Sequence, residues 1–553
     1  KTYSASISEN TVFPVASKFN VRGVSSISFK SKMHYELSSA LETSTFPFYT
    51  MNGDGNIGIT FTYFADIPHN IVLDQLYGQN EEVTYHNPNS HRVTVWMPEA
   101  RIALFVSLPF VCAAELKDDV PTHDNNPGRT NHRDNWLAQE FPGGRMYNGA
   151  GVNVMLQDDG IIGPHIDYTG RLQQQYITFN NGDHGDHVAG TIMGGGNKDP
   201  LTRGMGWGAD LYVYDAAPAY QGFDSIYLHY ISNNIVITST SYSDGCNAGY
   251  TTLAQTLDQQ TWDMPNLIHV FSAGNNGGVD CNYGAGTAFG NITGGHKHSK
   301  NSIAVGNLDY MDAINSSSSR GPVHDGRMKP EVCAVGTNVY STSDPNNYVF
   351  KTGTSMSCPA VSGTFSELYQ AYRDIYGTTA QSGLMKAVLM NTCDDLGNPG
   401  PDYTYGYGRI NGRKAVVPLE QNMFAVDSVD NAQSNSHTIN VPNGIGQLKV
   451  MIYWHDFPAA VNASVALVNN LNMQVTDPNA VAFNPWVLDF TPNAANLSAN
   501  AVRGIDIRNN HEQVTLDTPL PGAYTVTVSG VGVPMCPQTY FLVWYFEPLE
   551  EVV

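Results

Sequence analysis

The chain is short of charge, and most of the charge it carries is acidic. Of 553 residues, 28 are Lys or Arg and 50 are Asp or Glu. A nucleic-acid binder needs a basic face, so that class is set aside. No apolar run is long enough to cross a bilayer. The longest, "IALFVSLPFVCAA" (102–114), contains Pro109 and reads as a buried helix–strand pair. Among the 7 cysteines there is no CxxC and no zinc-ligand spacing. Their odd number leaves at least one unpaired. The metalloprotease pattern HExxH is absent, and "GGGNKDP" lacks the ending of a phosphate-binding loop. The chain starts at Lys1 with no initiator Met and no signal-peptide pattern. Export after removal of a signal would explain that start, as would trimming, and an extracellular location is expected.

What is present divides into three regions, as expected for this length. Up to about residue 117, apolar alternation dominates, with helical signals between. A stretch rich in Asp, Asn and Pro, "KDDVPTHDNNPGRTNHRDN", then reads as a linker over 118–135. From 136 to 420, short and mostly continuous apolar runs alternate with helical patterns. The runs "GVNVMLQ", "NNIVITSTS", "NLIHVFSAG" and "NSIAVGN" suit strands covered on both faces. The alternation predicts an α/β domain with a doubly wound parallel sheet. From 421 to 553, strand and turn signals alone predict an antiparallel β-sandwich or jelly roll.

In a doubly wound sheet the site lies at the carboxyl ends of the strands. Those ends carry polar residues in sequence order. Asp158 and Asp159 close "GVNVMLQDDG". His184 and His187 open the helical pattern of "DHGDHVAGTIM". Asn275 follows "FSAG", and Ser355 stands in "TGTSMSCPA". Each residue alone has a plain reading: a turn Asp, a helix-capping Ser. Together they suit acyl transfer. A serine hydroxyl needs an imidazole to take its proton, and the imidazole needs a carboxylate on its other nitrogen. The oxyanion needs donors, which an Asn side chain and a helix-start N–H supply. The esterase pattern G-x-S-x-G is broken around Ser355.

The segments "VNVMLQDDG", "HGDHVAGTIMG", "SAGNNGG", "SIAVGNLD", "SSSSRGPVHDGRMKPEV" and "GTSMSCPAVSG" resemble those of the subtilisin-like serine proteases, in the same order. The resemblance covers roughly 136–420. It implies Asp158 as triad acid, His184 as general base, Ser355 as nucleophile, and Asn275 with the Ser355 N–H as oxyanion hole. It implies a substrate-binding segment at Ser241, Tyr242 and Ser243, with Ser243 in place of the customary glycine, and a role for Gly274 beside it. His187 is read as structural.

Two departures stand out: Asp159 and Asp186 replace the usual small hydroxyl residues. Either they raise the pKa of His184, or they point to solvent. Cys246 and Cys281 sit in Gly/Asn-rich loops and are candidates for a disulfide flanking the substrate segment in an oxidising compartment. Cys333 and Cys358 read as buried free thiols.

The outer regions resemble companions of the same family. Residues 1–117 are similar to a propeptide-like α+β domain, a partner whose tail would lie in the cleft. A self-processing site would then fall in or near 117–135. The C-terminal region is similar to the β-sandwich of some bacterial alkaline subtilases. Structural Ca²⁺ is implied, at sites unknown; the loops with Asp456, Asn469, Asn470, Asn472 and Asp477 could offer oxygen ligands or simply make turns. The resemblance therefore implies a secreted, monomeric serine endopeptidase acting on proteins or peptides, made as a precursor. The alternative is a catalytically silent scaffold or adhesin that keeps the fold.

Overall fold

In a computed structural model of the chain, residues 28–47, 50–117, 126–139, 144–177, 182–215 and 221–549 are described below. The chain divides into two compact units, Lys1–Thr122 and His123–Val553.

The first unit holds strands β1 (Ile57–Tyr63), β2 (Glu82–Asn87), β3 (Arg92–Met97) and β4 (Val111–Leu116). They form one sheet in the order β2-β3-β1-β4, with every pair antiparallel. Alternating Ile59 and Phe61 face the same core as Val93 and Val95. Helices Tyr35–Thr43, His69–Tyr77 and Glu99–Val106 close that core with Leu37, Val72, Leu76 and Ile102. The expected helix–strand pair is there, as Glu99–Val106 followed by β4.

The second unit is built on a parallel sheet of seven strands: β5 (Asn153–Asp158), β6 (Leu172–Gln175), β7 (Asp210–Asp215), β8 (Ile235–Thr240), β9 (Ile268–Ser272), β10 (Ile303–Leu308) and β11 (Val332–Val335). Their order is β11-β10-β9-β8-β5-β7-β6. The chain runs from β5 to the edge strand β6, comes back to β7 beside β5, then crosses to the other side at β8. The switch point therefore falls between β5 and β8, where doubly wound sheets place their sites. The central strands are Val/Ile-rich and buried along their whole length, as the continuous apolar runs require. The helix Thr354–Tyr376 covers the middle of the sheet, and its residues Met356 to Ala371 are buried. It packs on the helix His184–Met193. A hairpin of β12 (Val339–Ser343) and β13 (Asn347–Lys351) precedes it.

Two four-stranded antiparallel sheets follow. One contains Ile445–Tyr453 and Gln538–Pro548, the other Asn470–Thr476 and Gly522–Gly532. Val450, Ile452, Val475, Val526 and Leu542 share the core between them. This is the α/β fold with a β-rich C-terminal region that the sequence predicts.

The linker reading of 118–135 narrows. Residues 118–125 lie outside the described residues, but Asn126–Asn131 and Asp134–Leu137 are helical. His132 and Asp134 are fully buried. The Val335 N–H donates to His132 Nε2 at 2.8 Å, and Thr364 Oγ1 donates to Asp134 at 2.9 Å. Polar residues here serve buried backbone and hydroxyl groups, which composition alone does not reveal.

Candidate active site

Asp158 is the last residue of β5, and its side chain is 2% exposed. One of its oxygens lies 2.7 Å from His184 Nδ1. Its partner heads the helix His184–Met193. With Nδ1 donating to the carboxylate, Nε2 is left as the basic nitrogen. Burial pulls the His184 pKa down, but the adjacent Asp158 charge and hydrogen bond outweigh it. Asp159 adds to the rise, Lys351 opposes it, and the net pKa lies above the ordinary histidine value.

Neither departing carboxylate points to solvent. Asp159 caps the histidine helix, accepting from the N–H of His184 at 3.2 Å and of Gly185 at 2.8 Å. A carboxylate there satisfies orphan N–H groups and complements the helix dipole. Asp186 is buried. It accepts from Gly163 N–H at 2.7 Å, and burial raises its pKa to about 6. His187 is also buried; its Nε2 lies 2.9 Å from the Val339 carbonyl and 3.1 Å from that of Val349. Burial lowers its pKa to about 3, so it is a neutral donor tying the helix to β12 and β13.

Ser355 is the second residue of the helix Thr354–Tyr376, whose N-cap is Gly353, so it is not a capping serine. Its hydroxyl donates to the Ser241 carbonyl at 2.8 Å. To reach an imidazole it must rotate about χ1, a step between ordinary staggered wells. Asn275 follows β9. Its carboxamide oxygen accepts from Thr354 N–H and from Thr354 Oγ1, both at 3.0 Å. With the oxygen held, the NH₂ group is the end left to bind a ligand. Its Nδ2 faces Gly353, at 3.3 Å from where a Cβ would stand. Thr354 Oγ1 in turn accepts from Gly274 N–H at 3.2 Å. Gly274 has φ +113, and a Cβ there would meet Thr293 Oγ1 at 2.3 Å, so only glycine fits.

Ser241, Tyr242 and Ser243 continue from β8. Ser243 is exposed; its Oγ accepts from Thr293 Oγ1 and Lys297 Nζ, each at 2.9 Å. The Tyr242 and His296 rings lie 5.6 Å apart. Cys246 and Cys281 are disulfide-bonded, joining the loop after β8 to the loop after Asn275. Cys333, Cys358 and Cys393 are buried free thiols; Cys112 and Cys536 are free and exposed.

Of the residues offered for calcium, Asp456, Asn469 and Asp477 are otherwise engaged, whereas Asn470 and Asn472 each keep a buried side-chain oxygen with no hydrogen-bond partner. Asp456 is fully buried, pairs with Lys300 and accepts from the N–H groups of Val468 and Asn469. The Lys300 ammonium already stands where a cation would bind. Asn469 Nδ2 donates to the Met535 carbonyl and to Gln538. Asp477 makes a turn, accepting from Asn479 and Val481 N–H. Among the described residues, no group of three or more His, Cys, Asp or Glu could hold a metal ion.

Three participants carried no sequence signal of their own role: Asp159 as cap, Thr354 as anchor of Asn275, and Lys297 beneath Ser243. Each acts through a contact between distant segments.

Residues 149–408 match the model of the subtilase family. The chain is 27% identical over 282 residues to thermitase of Thermoactinomyces vulgaris, covering 48% of this chain and 89% of that one. It is 27% identical over 281 residues to a thermophilic serine proteinase of Bacillus sp. (strain AK1), covering 48% and 62%. To the "Serine protease/ABC transporter B family protein tagA" of Dictyostelium discoideum it is 21% identical over 540 residues, covering 71% of this chain and 30% of that protein. The chain carries a subtilase-family domain, of the subtilisin-like serine protease type. Among the described residues, no helix is long and apolar enough to cross a membrane.

Proposed function

We propose that this chain is a serine endopeptidase that cleaves peptide bonds through an acyl-enzyme on Ser355. The observation that carries the reading is the 2.7 Å contact between Asp158 and His184 Nδ1 at the switch point of the sheet, with Ser355 heading the helix packed on the histidine helix. His184 Nε2 takes the hydroxyl proton as Ser355 attacks the scissile carbonyl. Asp158 holds the imidazole and stabilises its charged form. The Asn275 NH₂ and the Ser355 N–H receive the oxyanion. His184 then protonates the leaving amine, and water releases the acyl group by the same route.

The proposal includes secretion, a monomeric state, and the unit Lys1–Thr122 as a self-processed propeptide that would occupy the cleft. The disulfide supports an oxidising compartment. Structural calcium stays in the proposal from the family resemblance alone; Asp456 is not its ligand, because Lys300 neutralises it.

The test is intact mass with N-terminal sequencing of wild type beside Ser355→Ala, incubated with calcium. A cut within or near 117–135 in wild type only is the expected result. Wild type that stays whole and is also silent on unstructured protein and peptide substrates would overturn the reading.

A further inference from the structure

Lys297 is fully buried, yet it lies beside the segment that holds Ser355. Its three N–H donors go to hydroxyl oxygens: Thr293 at 2.7 Å, Ser243 at 2.9 Å and, more loosely, Ser272 at 3.5 Å. Among the described residues no carboxylate is within ion-pair distance of it. A buried ammonium without a counter-ion is costly. Asp244, with its side chain 53% exposed, lies beyond ion-pair distance, and its charge and that of Cys358 only partly offset the cost of burial.

The site is bracketed by two strand ends. Ser241, whose carbonyl accepts from Ser355 Oγ, is two residues from Ser243. Two residues span at most about 7 Å. Ser272, on the other flank, is three residues from Asn275. The ammonium therefore sits under the floor between the nucleophile's segment and the oxyanion donor's segment.

The hydroxyl of Ser243 has its polarity fixed from below. A hydroxyl offers one donor and two acceptor lone pairs. Both lone pairs are filled, by Thr293 Oγ1 and Lys297 Nζ; Thr293 has only a longer alternative, the Ala273 carbonyl at 3.4 Å. The Ser243 O–H is thus left to donate outward, and Ser243 is exposed. An apolar side chain placed above it would strand that donor, and a basic one would face a buried cation. A carboxylate would accept from it and bring further negative charge toward the buried ammonium.

We propose that Lys297, acting through the Ser243 hydroxyl, makes this endopeptidase select substrates with Glu or Asp immediately before the scissile bond. The inference rests on Ser355 being the nucleophile and on the family resemblance, which makes Ser241–Ser243, the segment whose Ser241 carbonyl holds the Ser355 hydroxyl, part of the substrate-binding wall. Lys297 and Ser243 are specificity residues for the reaction.

The experiment compares peptides that differ only in Glu, Gln, Leu or Lys at that position. Wild type is expected to show kcat/KM for Glu at least tenfold above Gln and Leu, with Lys lowest. In Lys297→Met and in Ser243→Ala the Glu:Gln ratio is expected to fall to within threefold of unity. Ser243→Ala alters an exposed group and keeps the test valid if Lys297→Met fails to fold. A wild type that cleaves after Leu or Gln as well as after Glu, or a ratio that survives in Ser243→Ala, overturns the proposal. The same peptides are titrated against Ser355→Ala, read by fluorescence anisotropy. Tighter binding of the Glu peptide there supports the pocket even if no peptide is cleaved by wild type, an outcome that would sink the peptidase reading alone. Equal binding of Glu and Gln peptides counts against the pocket.

Discussion

Thr354→Val removes a single oxygen and tests how Asn275 is held. The Thr354 hydroxyl donates to the Asn275 carboxamide oxygen at 3.0 Å and accepts from Gly274 N–H at 3.2 Å. Valine is nearly isosteric, so packing is kept. Asn275 retains one anchor, the Thr354 N–H, also at 3.0 Å. Losing one neutral hydrogen bond is worth about 0.5–1.5 kcal/mol. If that loss appears as looser placement of the oxyanion donor, kcat falls roughly two- to tenfold with KM little changed. Deleting the donor outright, with Asn275→Ala, costs about two to three orders of magnitude in kcat. The diagnostic is the double mutant. Because Thr354 acts through Asn275, Thr354→Val changes kcat less than twofold in the Asn275→Ala background. Stability falls by about 1–3 kcal/mol, because the buried Gly274 N–H loses its acceptor. Steady-state kinetics of the four proteins, with urea unfolding in parallel, measure all of this. A full Thr354→Val effect on kcat in the Asn275→Ala background would refute the anchoring argument.

Asp159→Asn keeps an acceptor for the helix start but removes a charge that raises the His184 pKa. The base works neutral, so the acid limb of kcat/KM has its midpoint above the ordinary histidine value in wild type. It moves down in the variant, as a pH profile from about 5 to 10 would show. Asp456→Ala leaves Lys300 buried without its partner and should cost about 3–5 kcal/mol in urea unfolding; an effect below about 1 kcal/mol would mean water reaches the site. Reducing Cys246–Cys281, which closes a separation of 35 residues, lowers stability by at most about 4 kcal/mol; melting with and without reductant checks it. Burial lowers the Lys297 pKa to about 7, with Cys358 and Asp244 opposing the drop, and the neighbouring His296 stays neutral. The cation is lost as pH rises through that value, so the Glu:Leu ratio of kcat/KM falls between pH 6 and 9.

Much of the central sheet was legible because its strands are covered on both faces. The runs at 151–157, 233–241, 266–274 and 301–307 overlap β5, β8, β9 and β10. β6, with sequence LQQQ, was not legible: it is the sheet's edge strand and its middle residues are exposed. β11 has only four residues, too few to show a period. In the C-terminal sheets Ser434–Val441, Asn470–Thr476 and Gly522–Gly532 alternate clearly, whereas Gln538–Pro548 does not. The latter is buried almost without interruption over its first half, which erases the alternation. The site residues came from order and motif. Their supports did not, because Asp159, Thr354 and Lys297 act across loops that sequence spacing does not join. Burial and backbone N–H groups keep both Asp159 and Asp186 from solvent, and of the two it is Asp159 whose charge raises the His184 pKa.

The central claim is that Ser355 is activated by His184. The most direct measurement is covalent labelling with a fluorophosphonate, located by peptide mass mapping. One adduct is expected, on Ser355, absent in Ser355→Ala and slowed by at least about a thousandfold in His184→Ala, as when a nucleophile loses its base. Labelling of another residue, or of Ser355 at an unchanged rate in His184→Ala, would contradict it.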